Sequence, residues 1–454
     1  MFSTLHKIFI DTRSRWFELV DRSPLSRLGN MSLIAALASI AAKSVGFIKE
    51  IFVASVFGVS DALDVYFLAF VLIGFPLSIL LNAIQTVMIS SLAAARNNTE
   101  RTGETYTSTL LVTLLAVGAL LPVWLFALQA LLPQLASGFS PEKLAWLESA
   151  LVWMIPYYFL NGLNLLGYGV LQARQRFIQN GLLPVLTPLI TIPIVYTYGG
   201  THSWEILVIA LTAGVLLEFV ALNGMLARAG LVRRPDFRSS ELARILQGSK
   251  VLLPGTLIMA LGPIVEQSIA ASLSSGAVAT LGYGFRLPAA LNGIVVTAIG
   301  ITVLPYFSAL LTDGKAGYCL HSLEKIGRWL LFLGLIFAAV LALMSETIVT
   351  LIYQRGVFDA AATAHVYPIQ QVYFLQLPFA LLAMLGIRTL VALGRNGIVS
   401  LLAAMAVVIQ IFLAWSLSTH FGTVGIAWGV TVASAFVAVT SFLLSRRFLE
   451  DRAL

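Results

Sequence analysis

Apolar residues along this chain run on for twenty residues or more before a short polar connection interrupts them. Twelve such segments can be marked, approximately at 30–58, 63–92, 106–132, 144–172, 179–198, 203–227, 250–274, 277–311, 326–352, 361–392, 397–418 and 422–445. A helix needs about 20 apolar residues to cross a hydrocarbon core about 30 Å thick. Each segment therefore predicts a membrane-spanning helix, and the chain predicts an all-α polytopic fold. The connections are too short to hold a folded domain. The largest is basic and occupies residues 228–249, dividing the chain into two stretches of six spans with like orientation, 30–227 and 250–446. Parallel repeats of this kind are a common way to build a transporter. A faint internal echo agrees: residues 54–70 laid over 271–287 match Ala54 with Ala271, Ser55 with Ser272, Ala62 with Ala279 and Tyr66 with Tyr283.

Composition sharpens the picture. The chain is 59% hydrophobic and only 11% charged, with a mean hydropathy of +0.91, where soluble domains carry about 25% charged residues. The net charge of +7 raises nucleic acid as a partner, but its distribution points to membrane orientation. With the N-terminus on the cytoplasmic side, the cytoplasmic segments hold 22 of the 28 lysines and arginines, and the opposite connections hold only Lys143 and Arg355. That asymmetry predicts both termini in the cytoplasm. Residues 1–29 carry Lys7, Arg13, Arg15, Arg22 and Arg27 without a long apolar core. They read as a cytoplasmic segment, either a helix lying on the membrane or a disordered tail, rather than a cleaved signal peptide; a short tail, 447–454, closes the chain. Cys319 is the sole cysteine, and His6, His202, His321, His365 and His420 show no ligand spacing. Disulfides and a Cys-based metal site are excluded, and no catalytic residue, metal or cofactor is expected.

The remaining four cations, Lys43, Lys49, Arg286 and Arg388, lie inside spans. A charge at the bilayer centre costs about 2.5–3.5 kcal/mol on insertion scales and marks a polar interior. Arg388 is near enough to a cytoplasmic end to snorkel. Lys49, Glu266 and Arg286 each fall about 12–13 Å below the periplasmic end of their spans at the α-helical rise, a level at which they can meet. Lys43 lies nearer the cytoplasm, with Glu50 seven residues on along the same helix face. Two readings stay open: structural ion pairs, Lys49–Glu266 or Arg286–Glu266, or a cationic cavity for an anionic headgroup. Lys43, Lys49 and Arg286 are the candidate binding residues; Glu50, Asp64, Glu218 and Glu266 are candidate cavity or coupling acids. Glu218 has no obvious partner, and Asp61 and Asp64 lie near water at a periplasmic end. Trp153, Tyr157 and Tyr158 read as partly interfacial anchors. Gly282, Gly284 and Pro288 flank Arg286 as if to loosen its helix.

These residues resemble the MurJ/MviN lipid II flippases. The first match is Lys43, Gly46–Phe47, Lys49–Glu50, Phe57–Gly58 and Asp64. The second is YGFRLP from Tyr283 followed by Leu304–Pro305, and the third is Gln354-x-Gly356-x-Phe358. The resemblance implies two six-helix lobes in a V around a central cavity, in the superfamily that includes multidrug exporters and polysaccharide-lipid flippases. It also implies that Lys43, Lys49 and Arg286 line the cavity, with Glu266 where the family has a polar or acidic residue. Three departures stand out. Leu77–Ser78 occupies the place of the family's arginine pair, and Phe285 that of an acid preceding Arg286. The chain stops at Leu454 without the family's last two spans. The expected activity is translocation of an undecaprenyl-diphosphate-linked glycan, lipid II or similar, to the periplasmic leaflet of the bacterial inner membrane by alternating access. An exopolysaccharide or O-antigen repeat unit is the alternative cargo. Coupling to protons, sodium ions or membrane potential stays open. A multidrug-type exporter is disfavoured for cationic cargo by the positive interior, and a polytopic glycosyltransferase by the short loops.

Overall fold

A computed structural model describes residues 24–94, 98–201 and 203–453, with the side chains of 24–40, 94, 201, 295–302 and 453 left out. Most of the expected N-terminal segment 1–29, and Arg96 in the first basic connection, lie outside the described residues. Every regular element described is helical. The first half holds α1 (Pro24–Phe57), α2 (Asp61–Ala94), α3 (Thr99–Leu135), α4 (Pro141–Trp153), α5 (Ile155–Ala173), α6 (Phe177–Leu182), α7 (Leu186–Tyr198) and α8 (Trp204–Arg228). The second holds α9 (Ser240–Ala271), α10 (Ala277–Thr312), α11 (Ala316–Leu343), α12 (Ser345–Tyr353), α13 (Ala360–Leu375), α14 (Leu377–Ala392) and α15 (Asn396–Ala453).

Local chemistry explains many of the boundaries. Ser140 and Asp359 accept from the backbone N–H groups of Lys143 and Ala362, capping α4 and α13, and Ser239 caps α9 through Leu242. Such side chains satisfy donors that a helix start leaves unpaired. The apolar segments 144–172 and 326–352 each break, at Met154 and Met344. Segments 397–418 and 422–445 are the two arms of α15, parted at Gly422, at φ 57° and ψ −137°, where the chain turns back so that Gly425 and Gly429 lie against Leu417 and Ala414. Eight of the described helical stretches are long and apolar enough to cross a membrane. Their outer surface agrees: Leu115, Phe126, Val251 and Leu343 are all largely exposed, more apolar surface than water tolerates on a monomer.

The two halves meet along α2 and α9, which run antiparallel. Thr256 of α9 reaches the carbonyl of Ile79, and Gly248 faces Val87 a few turns away. The largest apolar cluster straddles both halves around the start of α2, uniting Leu63, Leu72 and Ile73 with Val278, Tyr283 and Ile369. Smaller clusters lie toward the opposite end, one around Met88, Tyr106 and Leu226, another around Phe307, Leu323 and Leu385. The molecule is thus sealed across its halves at one end.

The sequence reading of Gly282 and Gly284 as loosening residues is corrected. Helix α10 continues through them and through Pro288. Their role is close approach: a Cβ on Gly284 would lie 2.6 Å from a methyl of Ile369 on α13, and one on Gly282 3.2 Å from the Phe67 ring. Gly284→Val is therefore expected to destabilise by about 1–3 kcal/mol through overpacking. The check is the thermal unfolding midpoint of the detergent-solubilised protein, which should fall, whereas an unchanged midpoint would show that α13 yields.

Candidate functional site

Helices α1 and α10 are bridged by long side chains that carry the interior charges. Glu50 of α1 lies opposite Arg286 of α10, with 2.9 Å between carboxylate and guanidinium. Two turns along, Lys43 stands opposite Gly293, its Nζ 3.6 Å from where a Cβ there would sit. Lys49 closes on the other oxygen of Glu50 at 2.8 Å. Glu50 is therefore held between two cations, one from each half of the molecule. The Arg286 guanidinium also lies over the Phe67 ring at 4.3 Å and near Tyr283 at 5.3 Å, contacts that gain strength away from water. Its NH1 is buried and makes no hydrogen bond.

Two cavities open on this cluster. One, of about 660 Å³, lies between α2 and the second half, where Phe67, Phe70, Glu266, Phe285 and Arg286 are among its walls. The other, of about 470 Å³, lies within the first half and includes Lys43, Lys49, Asn161, Tyr168, Thr187 and Glu218. Both volumes fall in the range of small-ligand sites. Neither Lys49–Glu266 nor Arg286–Glu266, the pairs considered from sequence, forms: Glu50 is the acid that both cations share. Glu266 instead accepts a hydrogen bond from the Gln410 amide of α15. Glu218, without a partner in sequence, accepts from Tyr168 at 2.6 Å and Thr187 at 2.5 Å. These donors come from α5 and α7, and only folding brings them to α8.

Beyond the cluster, toward the sealed end, lies a plug of rings. Tyr283 packs on Phe67, Tyr353 and Phe358 with centroids 5.3–6.0 Å apart. Tyr157 and Tyr158, expected partly at the interface, are buried against Phe70 at 5.6 and 5.2 Å, and the Tyr158 hydroxyl donates to the Phe70 carbonyl. Trp153 is half exposed. Offset and edge-on ring contacts of this sort add to their area burial.

The sealed end itself is tied by charge. Asp64, expected near water, is fully buried. It accepts from Lys143 Nζ at 2.6 Å and from the backbone N–H groups of Gly276 and Ala279 at 2.7 Å each. Asp64 on α2 thus caps the first turn of α10, where the helix dipole favours a negative charge. Asp61 accepts from Lys143 and from the Ser275 hydroxyl at 2.7 Å. Lys143, which sequence reasoning treated only as a sparse-side charge, is buried and also lies over the Phe139 ring at 4.2 Å. Nearby, Val357 donates to the Ser55 carbonyl at 2.9 Å. Gly356, at φ 60°, leaves room for that approach, since a Cβ there would overlap the Ser55 carbonyl. The Gln354-x-Gly356-x-Phe358 run is thus the second half's contact with the end of α1, and Phe358 reaches the ring plug.

Comparison with known proteins follows the same lines. The profile of the "Lipid II flippase MurJ" family matches residues 53–452. A protein of Synechocystis sp. described as a probable lipid II flippase MurJ is 29% identical over 446 residues, covering 92% of this chain and 82% of that one. Among solved structures, a lipid II flippase MurJ in an inward closed conformation superposes with a TM-score of 0.74 at 19% identity, covering 92% and 91% of the two chains. An inward-facing multidrug resistance transporter of the MATE family gives 0.75 at 14% identity, covering 92% and 98%.

The sealed end supplies a test of its own. Asp64→Ala leaves Lys143 with only the half-exposed Asp61 and uncaps α10, and buried donors left unsatisfied cost about 1–3 kcal/mol. Spin labels at positions 59 and 357, on a background with Cys319 replaced, should report a longer and broader distance distribution in Asp64→Ala than in the parent. Identical distributions would show that the apolar plug alone holds this end shut.

Proposed function

Since the chain belongs to the lipid II flippase MurJ family, we propose that it moves an undecaprenyl-diphosphate-linked glycan, lipid II or a similar precursor, from the cytoplasmic to the periplasmic leaflet of the bacterial inner membrane during peptidoglycan synthesis. The observation that carries this reading is the shared carboxylate at the centre, Glu50 between Lys49 and Arg286, with Lys43 two turns away. The diphosphate is the anion that competes with Glu50 for these cations. Guanidinium and phosphate make strong charge-assisted hydrogen bonds, and Arg286 lines the larger cavity. Binding therefore loosens the tie between α1 and α10 while neutralising the cations that Glu50 gives up.

In this reading both termini face the cytoplasm, the sealed end faces the periplasm, and the cargo enters from the cytoplasmic side. Two lobes, residues 30–227 and 250–446, rock about their seam to expose the cavity on either side. The polyprenyl tail stays in the bilayer, because carrying so many CH₂ groups through water at about 0.8 kcal/mol each is prohibitive. The protein is a transporter with no catalytic residue, cofactor or metal. Glu218 and Glu266 are the interior acids available for coupling to protons, sodium ions or membrane potential. The alternative cargo, an exopolysaccharide or O-antigen repeat unit, draws support from α2. Leu77 is buried in the core and Ser78 bonds back to the Phe75 carbonyl, so the positions that carry the family's arginine pair contribute no charge.

The test is rescue of bacteria depleted of their own lipid II flippase, with membrane insertion confirmed by blot. Growth is the expected outcome; lysis despite good expression moves the cargo to a surface-polysaccharide precursor. In the rescuing background Arg286→Glu should abolish growth and Arg286→Lys should retain part of it. The double exchange Glu50→Arg with Arg286→Glu restores a pair across α1 and α10 but not the cation at α10, and should fail. Its success would reduce Arg286 to a structural partner.

A further inference from the structure

The larger cavity contains a charge of the wrong sign for a site that binds only an anion. Glu266 lines it, and among the described residues no cation pairs with it. Its described hydrogen-bond partner is the neutral amide of Gln410. That amide is fixed in place: a Cβ on Gly262, one turn before Glu266, would lie 2.9 Å from Gln410 Nε2. Gln267 and Asn292 also line this cavity, with their side-chain oxygens buried in the protein and without a donor. Arg286, on α10, lines it as well.

We propose that this wall of the cavity binds a cationic amino group carried by the cargo's headgroup, with Glu266 as its counter-ion. This rests on the lipid-linked glycan reading of the same cavity. A buried carboxylate is stabilised by a hydrogen-bonded cation that enters with the cargo. An ammonium brings three donors and no acceptor, the complement of a carboxylate such as Glu266. The diphosphate and the amine are then read at opposite polarities, by Arg286 and by Glu266. The half-exposed ring of Phe285, packed on Tyr373 at 5.2 Å, offers an apolar face to the sugar. A headgroup whose amines are all acylated satisfies Arg286 and leaves Glu266 unpaired. The cavity thus selects precursors that bear a free amine.

The test compares two probes with the purified protein in detergent: lipid II with a lysine in its stem peptide, and the same molecule with that lysine acetylated. The parent should bind the free-amine form at least about tenfold more tightly, about 1.4 kcal/mol. Glu266→Gln should bind both forms alike, and Glu266→Asp should recover part of the preference, with melting temperatures confirming that all three proteins fold. Equal binding of both probes by the parent overturns this inference and leaves the flippase reading intact. Binding of neither overturns lipid II as the cargo, and this inference with it. A sodium-dependent rise in melting temperature that Glu266→Gln abolishes, without an amine preference, assigns the carboxylate to an inorganic cation and also overturns the inference.

Discussion

The arrangement of the whole interior depends on one carboxylate in a place where carboxylates are expensive. Glu50 is tolerable there because Lys49 and Arg286 each take one of its oxygens; remove both cations and an uncompensated charge remains in a low-dielectric interior. Because the two cations come from different halves, the pairing ties α1 to α10 through side chains. The Arg286 guanidinium also lies over the Phe67 ring, and the rings around it exclude water that would weaken the pair.

Helix α10 links this central pair to the tie at the sealed end. Its first turn is capped by Asp64, and Arg286 lies seven residues after Ala279, about 10 Å along the axis. The two ties differ in what can break them. At the sealed end the acceptor is the protein's own carboxylate and the donors are a buried lysine and backbone amides, so an incoming anion has no open N–H group to take. At the centre, Arg286 lines a cavity, and an anion there competes directly with Glu50. In the flippase reading, cargo acts at the centre first, and the sealed end yields because both ties belong to one stiff helix.

The helical, membrane-spanning character of the chain was legible because lipid demands long apolar runs, and those survive in a single sequence. The interior position of Lys49, Glu50 and Arg286 was legible for the same reason: charges stand out against such runs. Lys43, on the same footing in sequence, is exposed. The pairing of the charges was not legible. Depth along a helix is readable from residue counts, but rotation about the helix axis relative to a partner is not, and so Glu266 was the acid considered for Arg286 where the structure has Glu50. Asp64 and Lys143 were misjudged because a charge near a helix end can face water or face the other half of the molecule, and the sequence is the same in both cases. The glycines beside Arg286 show a related limit: a flexible residue and a residue that admits a neighbour's side chain are spelt alike.

The departures from the family pattern take on physical sense once the charges are placed. With Leu77 in the core, Ser78 bonded to its own helix and Phe285 apolar, the centre holds Lys43, Lys49 and Arg286 against Glu50. Neutralising a diphosphate needs about two positive charges, which is the balance these three cations and one carboxylate leave. Charge lost at positions 77, 78 and 285 is therefore not simply missing. The acid that would precede Arg286 is absent from α10, and the acid facing this cavity from the neighbouring helix is Glu266, next to an amide on α15. A cavity arranged this way presents its positive and negative groups on separate walls. It is suited to a headgroup whose own charges are separated, and poorly suited to a compact anion.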